Sequence, residues 1–123
     1  MKALVIDDSK TARMMIIRIL KEIGGWEIYE AGHGREALAR LQESGPVDLA
    51  CVDWNMPEMN GYEFIKEVRK IKSHGAMWIM MVTTETEMEQ MVKAMAAGAN
   101  EYMMKPFTKE GILEKLQLMG FQV

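Results

Sequence analysis

Four short apolar runs in this chain each stop at a side chain that can do chemistry. Leu4-Val5-Ile6 stops at Asp7-Asp8, Leu49-Ala50-Cys51-Val52 at Asp53, the run from Met77 to Val82 at Thr83, and Tyr102-Met103-Met104 at Lys105. Taken alone, Asp7-Asp8 is equally well read as a helix cap, because Asp or Ser at a helix start accepts orphan backbone N–H bonds. Asp53 shifts the balance, since it follows a four-residue apolar run and precedes Trp54, at a strand end rather than on a solvated helix face. If the runs that end at Asp7-Asp8 and at Asp53 are neighbouring strands, three carboxylates converge, and like charges that close call for a cation. Oxygen-only ligands with room for water suit Mg²⁺. Lys105 is, at its plainest, a salt-bridge partner for such a group. With the Thr83 hydroxyl and a metal ion it is also the equipment that holds a phosphoryl group. Aspartate can be the nucleophile in phosphoryl transfer, and Asp53 is the candidate.

The segments between these runs have helical spacing. From Ser9 onward, Ala12, Ile16, Leu20 and Ile23 share one face of a predicted helix that Gly24-Gly25 ends. Trp26 to Tyr29 reads as a strand with only Glu30 at its end. A second helix carries Ala37, Leu38 and Leu41 and closes at Gly45-Pro46. After the turn from Met56 to Gly61, a third places Phe64, Ile65, Val68 and Ile71 on one stripe. Thr84-x-x-Glu87 or Thr86-x-x-Glu89 forms a capping box for a fourth helix, with Met88, Met91, Val92 and Met95 as its stripe and Gly98 as its stop. Thr108 caps a last helix that turns Ile112, Leu116 and Met119 inward. Strand and helix alternate five times, and the strand cores are apolar on both faces. That pattern predicts an α/β domain of three layers, α/β/α, around a parallel sheet. In such sheets the functional crevice lies beyond the carboxyl ends of the strands, where all the chemically active residues fall.

Composition narrows the class further. The chain has 123 residues, a net charge of −3 and 27% charged residues, a size and balance that suit one globular domain. A pI near 5.4 with no basic run leaves no electrostatic footprint for nucleic acid. The single Cys51 excludes an internal disulfide and a cysteine-cluster zinc site. No apolar run approaches the ~18 residues of a membrane span, and the first residues are too short for a signal peptide. A reducing, cytoplasmic location is the expectation.

With these residues in order, the sequence resembles the receiver domains of two-component response regulators over its whole length. Val52-Asp53-Trp54-Asn55-Met56-Pro57-Glu58-Met59-Asn60-Gly61 is similar to the family's phosphorylation loop, and Tyr102-Met103-Met104-Lys105-Pro106-Phe107 to its fifth-strand signature. Within the family the likeness is to the single-domain chemotaxis regulators. The resemblance implies one receiver domain over residues 1–123, with a flavodoxin-like fold and a five-stranded sheet of order 2-1-3-4-5. It implies that Asp53 accepts a phosphoryl group from a phosphohistidine of a histidine kinase. Asp8, Asp53 and the backbone carbonyl of Asn55 would bind Mg²⁺ directly, and Asp7 through water. Lys105 would pair with the phosphoryl group, Thr83 and Tyr102 would form the switch, and Asn55 and Glu85 would tune the phosphoryl lifetime, expected to be short. Thr84 stands where the family usually has Ala or Gly. Pro106 is expected to follow a cis peptide bond, as is common in the family.

The implied function is a phosphorylation-dependent switch acting through protein contacts, not an enzyme beyond its own phosphorylation and dephosphorylation. Its expected output surface is the fourth helix, fifth strand and fifth helix, with the flagellar motor switch as the candidate target and a monomer as the expected state. The runner-up is a phosphorelay intermediate or phosphate sink, or a regulator of a non-motor partner. A haloacid-dehalogenase-type phosphatase would need Asp-x-Asp after the first strand. A flavodoxin-type carrier would need N–H donors and hydroxyls where Asp7-Asp8-Ser9-Lys10 stands. A P-loop enzyme fails on motif. Three expectations concern residues easily over-read: most of the 14 methionines as core filler, with a minority on the last two helices as an adaptable binding surface; His33 and His74 as solvated; and Trp54 as partly exposed beside the pocket.

Overall fold

The computed structural model describes residues 1–84 and 88–123. Strands β1 (Lys2–Ile6), β2 (Glu27–Ala31), β3 (Leu49–Val52), β4 (Trp78–Thr83) and β5 (Glu101–Met104) form one parallel sheet in the order β2-β1-β3-β4-β5. Helices α1 (Lys10–Ile23), α2 (Gly34–Ser44), α3 (Gly61–Arg69), α4 (Met88–Ala97) and α5 (Lys109–Leu118) connect or follow them. Because side chains alternate along a strand, Leu4 and Ile6 enter one core with Ala37, Leu41, Phe64, Val68 and Ala94, while Ala3 and Val5 enter another with Ile16, Leu20, Ile112 and Leu116. Helices α2, α3 and α4 therefore cover one face and α1 and α5 the other. The three-layer expectation holds.

Register is what positions the site. Ile6 lies opposite Ala31 on one side and Val52 on the other. The ladder then runs one step past the strands: Asp7 N–H donates to the Ala31 carbonyl (3.1 Å) and Asp53 N–H to the Ile6 carbonyl (3.0 Å). Asp7 and Asp53 thus leave adjacent strands side by side. At the far end Lys105 N–H donates to the Thr83 carbonyl (2.9 Å).

Helix starts follow the caps read from sequence. Ser9 accepts the Ala12 N–H and Thr108 the Gly111 N–H; α3 adds a reciprocal capping box of Asn60 with Glu63, where Asn60 reads from the sequence only as part of a turn. Gly98, at φ 124°, follows the end of α4 in a conformation that favours glycine. The proposed capping boxes of α4 involve Glu87 and Thr86 and lie outside the described residues.

Several expectations are corrected. The second strand begins at Glu27, and Trp26 instead packs edge-on against Phe121 at 5.4 Å. Helix α3 ends at Arg69, so Ile71 sits in extended backbone and is exposed. The face of α4 differs most. Met88, Val92 and Met95 point outward, and Ala94 with Met91 and Ala97 faces the core. Seven of its ten residues are apolar, so periodicity does not choose a face, and the small alanines permit the closer approach. The methionines follow the expectation narrowly: Met77, Met80, Met81, Met103 and Met119 are buried, and Met56, Met59 and Met91 pack partly buried against the core, eight of the 14 in all. His74 is buried in a short 3₁₀ turn, and the Nδ1 of half-buried His33 caps α2 by accepting the Glu36 N–H (3.2 Å). Cys51, inside the apolar run of β3, is core.

Candidate metal and phosphoryl site

Ligand oxygens of Asp7, Asp8 and Asp53 lie within 4.8 Å of one another at the carboxyl edge of the sheet. Asp7 and Asp53 are buried and Asp8 is exposed, so the cluster opens to solvent on one side only. Three oxygen donors around one small volume, with an open side for water, fit a hard divalent cation.

Each buried carboxylate is held by donors. Asp7 accepts the Ser9 N–H (2.9 Å) and the Lys105 ammonium (2.8 Å). Asp53 accepts the Trp54 N–H (2.9 Å) and a hydrogen bond from the Thr83 side chain, and the Lys105 Nζ stands 3.7 Å from its Oδ1. Lys105 therefore sits on Asp7 and reaches toward Asp53. Burial pushes the Asp53 carboxyl up to about 6, the neighbouring Asp7 adds to the rise, and Lys105, Thr83 and the Trp54 N–H oppose it. At neutral pH Asp53 is mostly ionised yet more basic than an ordinary carboxylate, as suits a nucleophile. A bound cation would relieve the repulsion that raises it.

The loop after Asp53 is tightly built. Gly61 N–H donates to the Trp54 carbonyl (2.9 Å), and a Cβ at Gly61 would overlap the Asp53 carbonyl. Only glycine fits there. Trp54 is buried rather than partly exposed, stacked on Tyr62 with centroids 5.4 Å apart. Asn55 is exposed in the same loop. Thr83 is fully buried and Thr84 exposed, while Glu85 lies outside the described residues. Tyr102 is also buried, in the core cluster that contains Ala94 of α4. The Lys105–Pro106 bond is cis, as expected.

Two site residues were not foreseen. Gly61 was visible only as part of a turn, because its close approach to Asp53 depends on the tertiary path. Arg13 donates to the Asp7 carbonyl (2.6 Å) and to the Glu30 carboxylate (2.8 Å). Its only sequence signal was a basic residue one turn after the aspartates, opposite the lone Glu30. A groove of about 620 Å³ also runs over the outer face of α1, lined by Met14, Met15, Arg18 and Lys21 among others, but it contains none of the acidic trio.

The sequence model for the response regulator receiver domain matches residues 3–117. A chemotaxis protein CheY homolog of Campylobacter jejuni is 45% identical over 117 residues, covering 95% of this chain and 90% of the relative. Chemotaxis protein CheY1 of Helicobacter pylori is 40% identical over 119 residues, covering 97% and 96%. Among solved structures, chemotaxis protein CheY4 of Vibrio cholerae matches with a TM-score of 0.87 at 40% identity, over 95% of this chain and 96% of that one.

Proposed function

The chain belongs to the response regulator receiver domain family, and from that premise we propose that it is a phosphorylation-dependent switch whose acceptor is Asp53. The observation that carries the reading is the convergence of Asp7, Asp8 and Asp53 with Lys105 and Thr83 at one sheet edge. Residues 1–123 act as one receiver domain.

In the proposed reaction an Asp53 carboxylate oxygen attacks the phosphorus of a phosphohistidine on a histidine kinase. The O–P bond forms, the N–P bond breaks, and the imidazole leaves and takes a proton from solvent. Mg²⁺, held by Asp8, Asp53 and the Asn55 carbonyl directly and by Asp7 through water, would supply charge neutralisation when bound. Lys105 would move from Asp7 toward the phosphoryl oxygens, a short step given its 3.7 Å distance from Asp53. The Thr83 hydroxyl, already bonded to Asp53, would donate to the same group. Asn55 and Glu85 are assigned to tuning the phosphoryl lifetime.

The magnitudes require more than one contact. A unit charge pair at ~4 Å is worth about 4 kcal/mol at an effective dielectric near 20. Driving a two-state equilibrium from 1:99 to 99:1 takes about 5.5 kcal/mol. Lys105 alone falls short, so Thr83 and backbone donors share the work. Buried Thr83 and Tyr102 are the pair assigned to carry the change toward α4, whose exposed Met88, Val92 and Met95 make it the proposed output face with β5 and α5. The names of the relatives and of the structural neighbour support chemotaxis as the pathway; the flagellar motor switch is the target we propose. No observation favours a relay intermediate or phosphate sink.

The test is tryptophan fluorescence during addition of Mg²⁺ and then beryllofluoride, a phosphoryl mimic, to wild type and Asp53→Asn. Trp54 reports directly, because its N–H bonds Asp53. A saturable Mg²⁺-dependent change lost in Asp53→Asn is expected; a silent wild type that also shows no binding by calorimetry would remove the acceptor assignment.

A further inference from the structure

We propose that Arg13 is a positioning residue for the acidic trio, fixing Asp8 through the peptide that joins it to Asp7. The inference rests on the metal-site reading above. Arg13 lies in the first turn of α1 with its side chain 17% exposed. One guanidinium nitrogen donates to the Asp7 carbonyl at 2.6 Å and Nε donates to Glu30 at 2.8 Å. The receiving end is itself braced: Arg40 donates to the Glu30 carbonyl (3.2 Å), and Glu36 accepts the Gly32 N–H (3.0 Å). A rigid planar fork therefore ties the β1–α1 turn to the carboxyl end of β2, which lysine, with a single nitrogen, cannot reproduce.

The three carboxylates differ in what holds them. Asp7 has Ser9 and Lys105, and Asp53 has Trp54, Thr83 and Lys105. Asp8 is exposed and makes no side-chain hydrogen bond with the described residues. What fixes its direction is its backbone, and the peptide plane entering it carries the carbonyl that Arg13 grips. Releasing that carbonyl lets the plane turn, and the third oxygen donor leaves its place. The helix does not depend on the fork, since the Ser9 cap and the Arg13 N–H to Ser9 carbonyl bond (2.9 Å) involve no guanidinium.

The sign of the effect separates positioning from charge. Removing a nearby cation by electrostatics alone should tighten Mg²⁺ binding. Losing the fork should weaken it, and outer-shell partners of metal ligands typically account for about 10–100-fold in affinity. The experiment measures Mg²⁺ dissociation constants by Trp54 fluorescence and calorimetry for wild type, Arg13→Ala and Arg13→Lys, at a temperature where far-UV circular dichroism shows each folded. Arg13→Ala is expected to bind about tenfold more weakly, and Arg13→Lys to recover less than half of that loss. At saturating Mg²⁺ the rate of phosphorylation by acetyl phosphate should return to within about twofold of wild type in both. Unchanged or tighter binding in Arg13→Ala overturns the inference, as does full recovery in Arg13→Lys, which would mean that a single nitrogen suffices and the guanidinium fork is not needed. Should Arg13→Ala fail to fold, Arg13→Lys decides alone: binding equal to wild type overturns the fork. A wild type that binds no Mg²⁺ removes the metal-site reading itself, a result distinct from any of these.

Discussion

The carboxyl edge of the sheet and the outer face of α4 are built on opposite terms. At the edge, Asp7, Asp53 and Thr83 are polar and buried, at 1%, 7% and 0% exposure, and each lies within a net of donors and acceptors. On α4, Met88, Val92 and Met95 are apolar and exposed, at 73%, 58% and 42%, while Ala94 alone of the helix is fully buried. Buried polar groups and clustered exposed apolar ones are the two arrangements that folding stability does not favour. The first is a store of unfavourable charge that a cation or phosphoryl group can reorganise. The second is the surface proposed above to meet a downstream partner. A receiver needs one of each, and β4 and β5, with Thr83 and Tyr102, run between them.

The largest expected effect is at Asp53. Asp53→Asn removes the nucleophile and should abolish phosphorylation by acetyl phosphate, followed by radiolabel or mass spectrometry. It should also stabilise the metal-free protein. Asp53's folded value is raised, so the native state holds its proton where the unfolded chain has released it. Its contribution to stability is therefore greatest below about pH 4, falls as pH rises to about 6, and stays low above that. Wild type should thus lose up to about 3 kcal/mol relative to Asp53→Asn between pH 4 and 7.5, read as diverging urea midpoints; parallel midpoints would contradict a buried, repelled carboxylate.

Next in size is Lys105→Ala, which strands Asp7 and Asp53 beside each other. We expect a loss of about 2–3 kcal/mol in urea unfolding without divalent ions, more than half of it recovered by saturating Mg²⁺. A loss that Mg²⁺ leaves untouched would mean the lysine packs rather than balances charge. On α4 the contrast reverses. Ala94→Leu, forced into a closed contact, should cost about 1–3 kcal/mol, whereas Met88→Ala with Met95→Ala should stay within about 0.5 kcal/mol yet weaken binding of a motor-switch peptide to the beryllofluoride state. If the methionine pair instead destabilises the fold like a core change, that face is not free for a partner. The smallest effect is at Thr84, which is exposed beside the switch. Thr84→Ala should speed phosphorylation by acetyl phosphate about twofold if the larger side chain obstructs small donors.

Much of this was legible in the sequence. Apolar runs of strand length and their terminal residues are local signals, so Asp7, Asp8, Asp53, Thr83 and Lys105 could be named from spacing, and so could the caps at Ser9 and Thr108. The strand order came only from family resemblance, because nothing local says which strand is central. Where a helix is apolar on more than one side, as α4 is, the choice of buried face was read wrongly: sheet contact selects small residues that hydrophobicity does not rank first. Ile71 and His74 were misread for a related reason, since the end of α3 and the 3₁₀ turn beneath it depend on what the chain meets there. The sequence by itself determined which side chains stand at the strand ends, because alternation and run length are properties of the backbone. Only the tertiary structure decided that Lys105 rests on Asp7, that Gly61 must clear the Asp53 carbonyl, and that Arg13 reaches Glu30 and the Asp7 carbonyl together. Those are contacts between segments far apart in the chain or on different elements, and their geometry is set by packing.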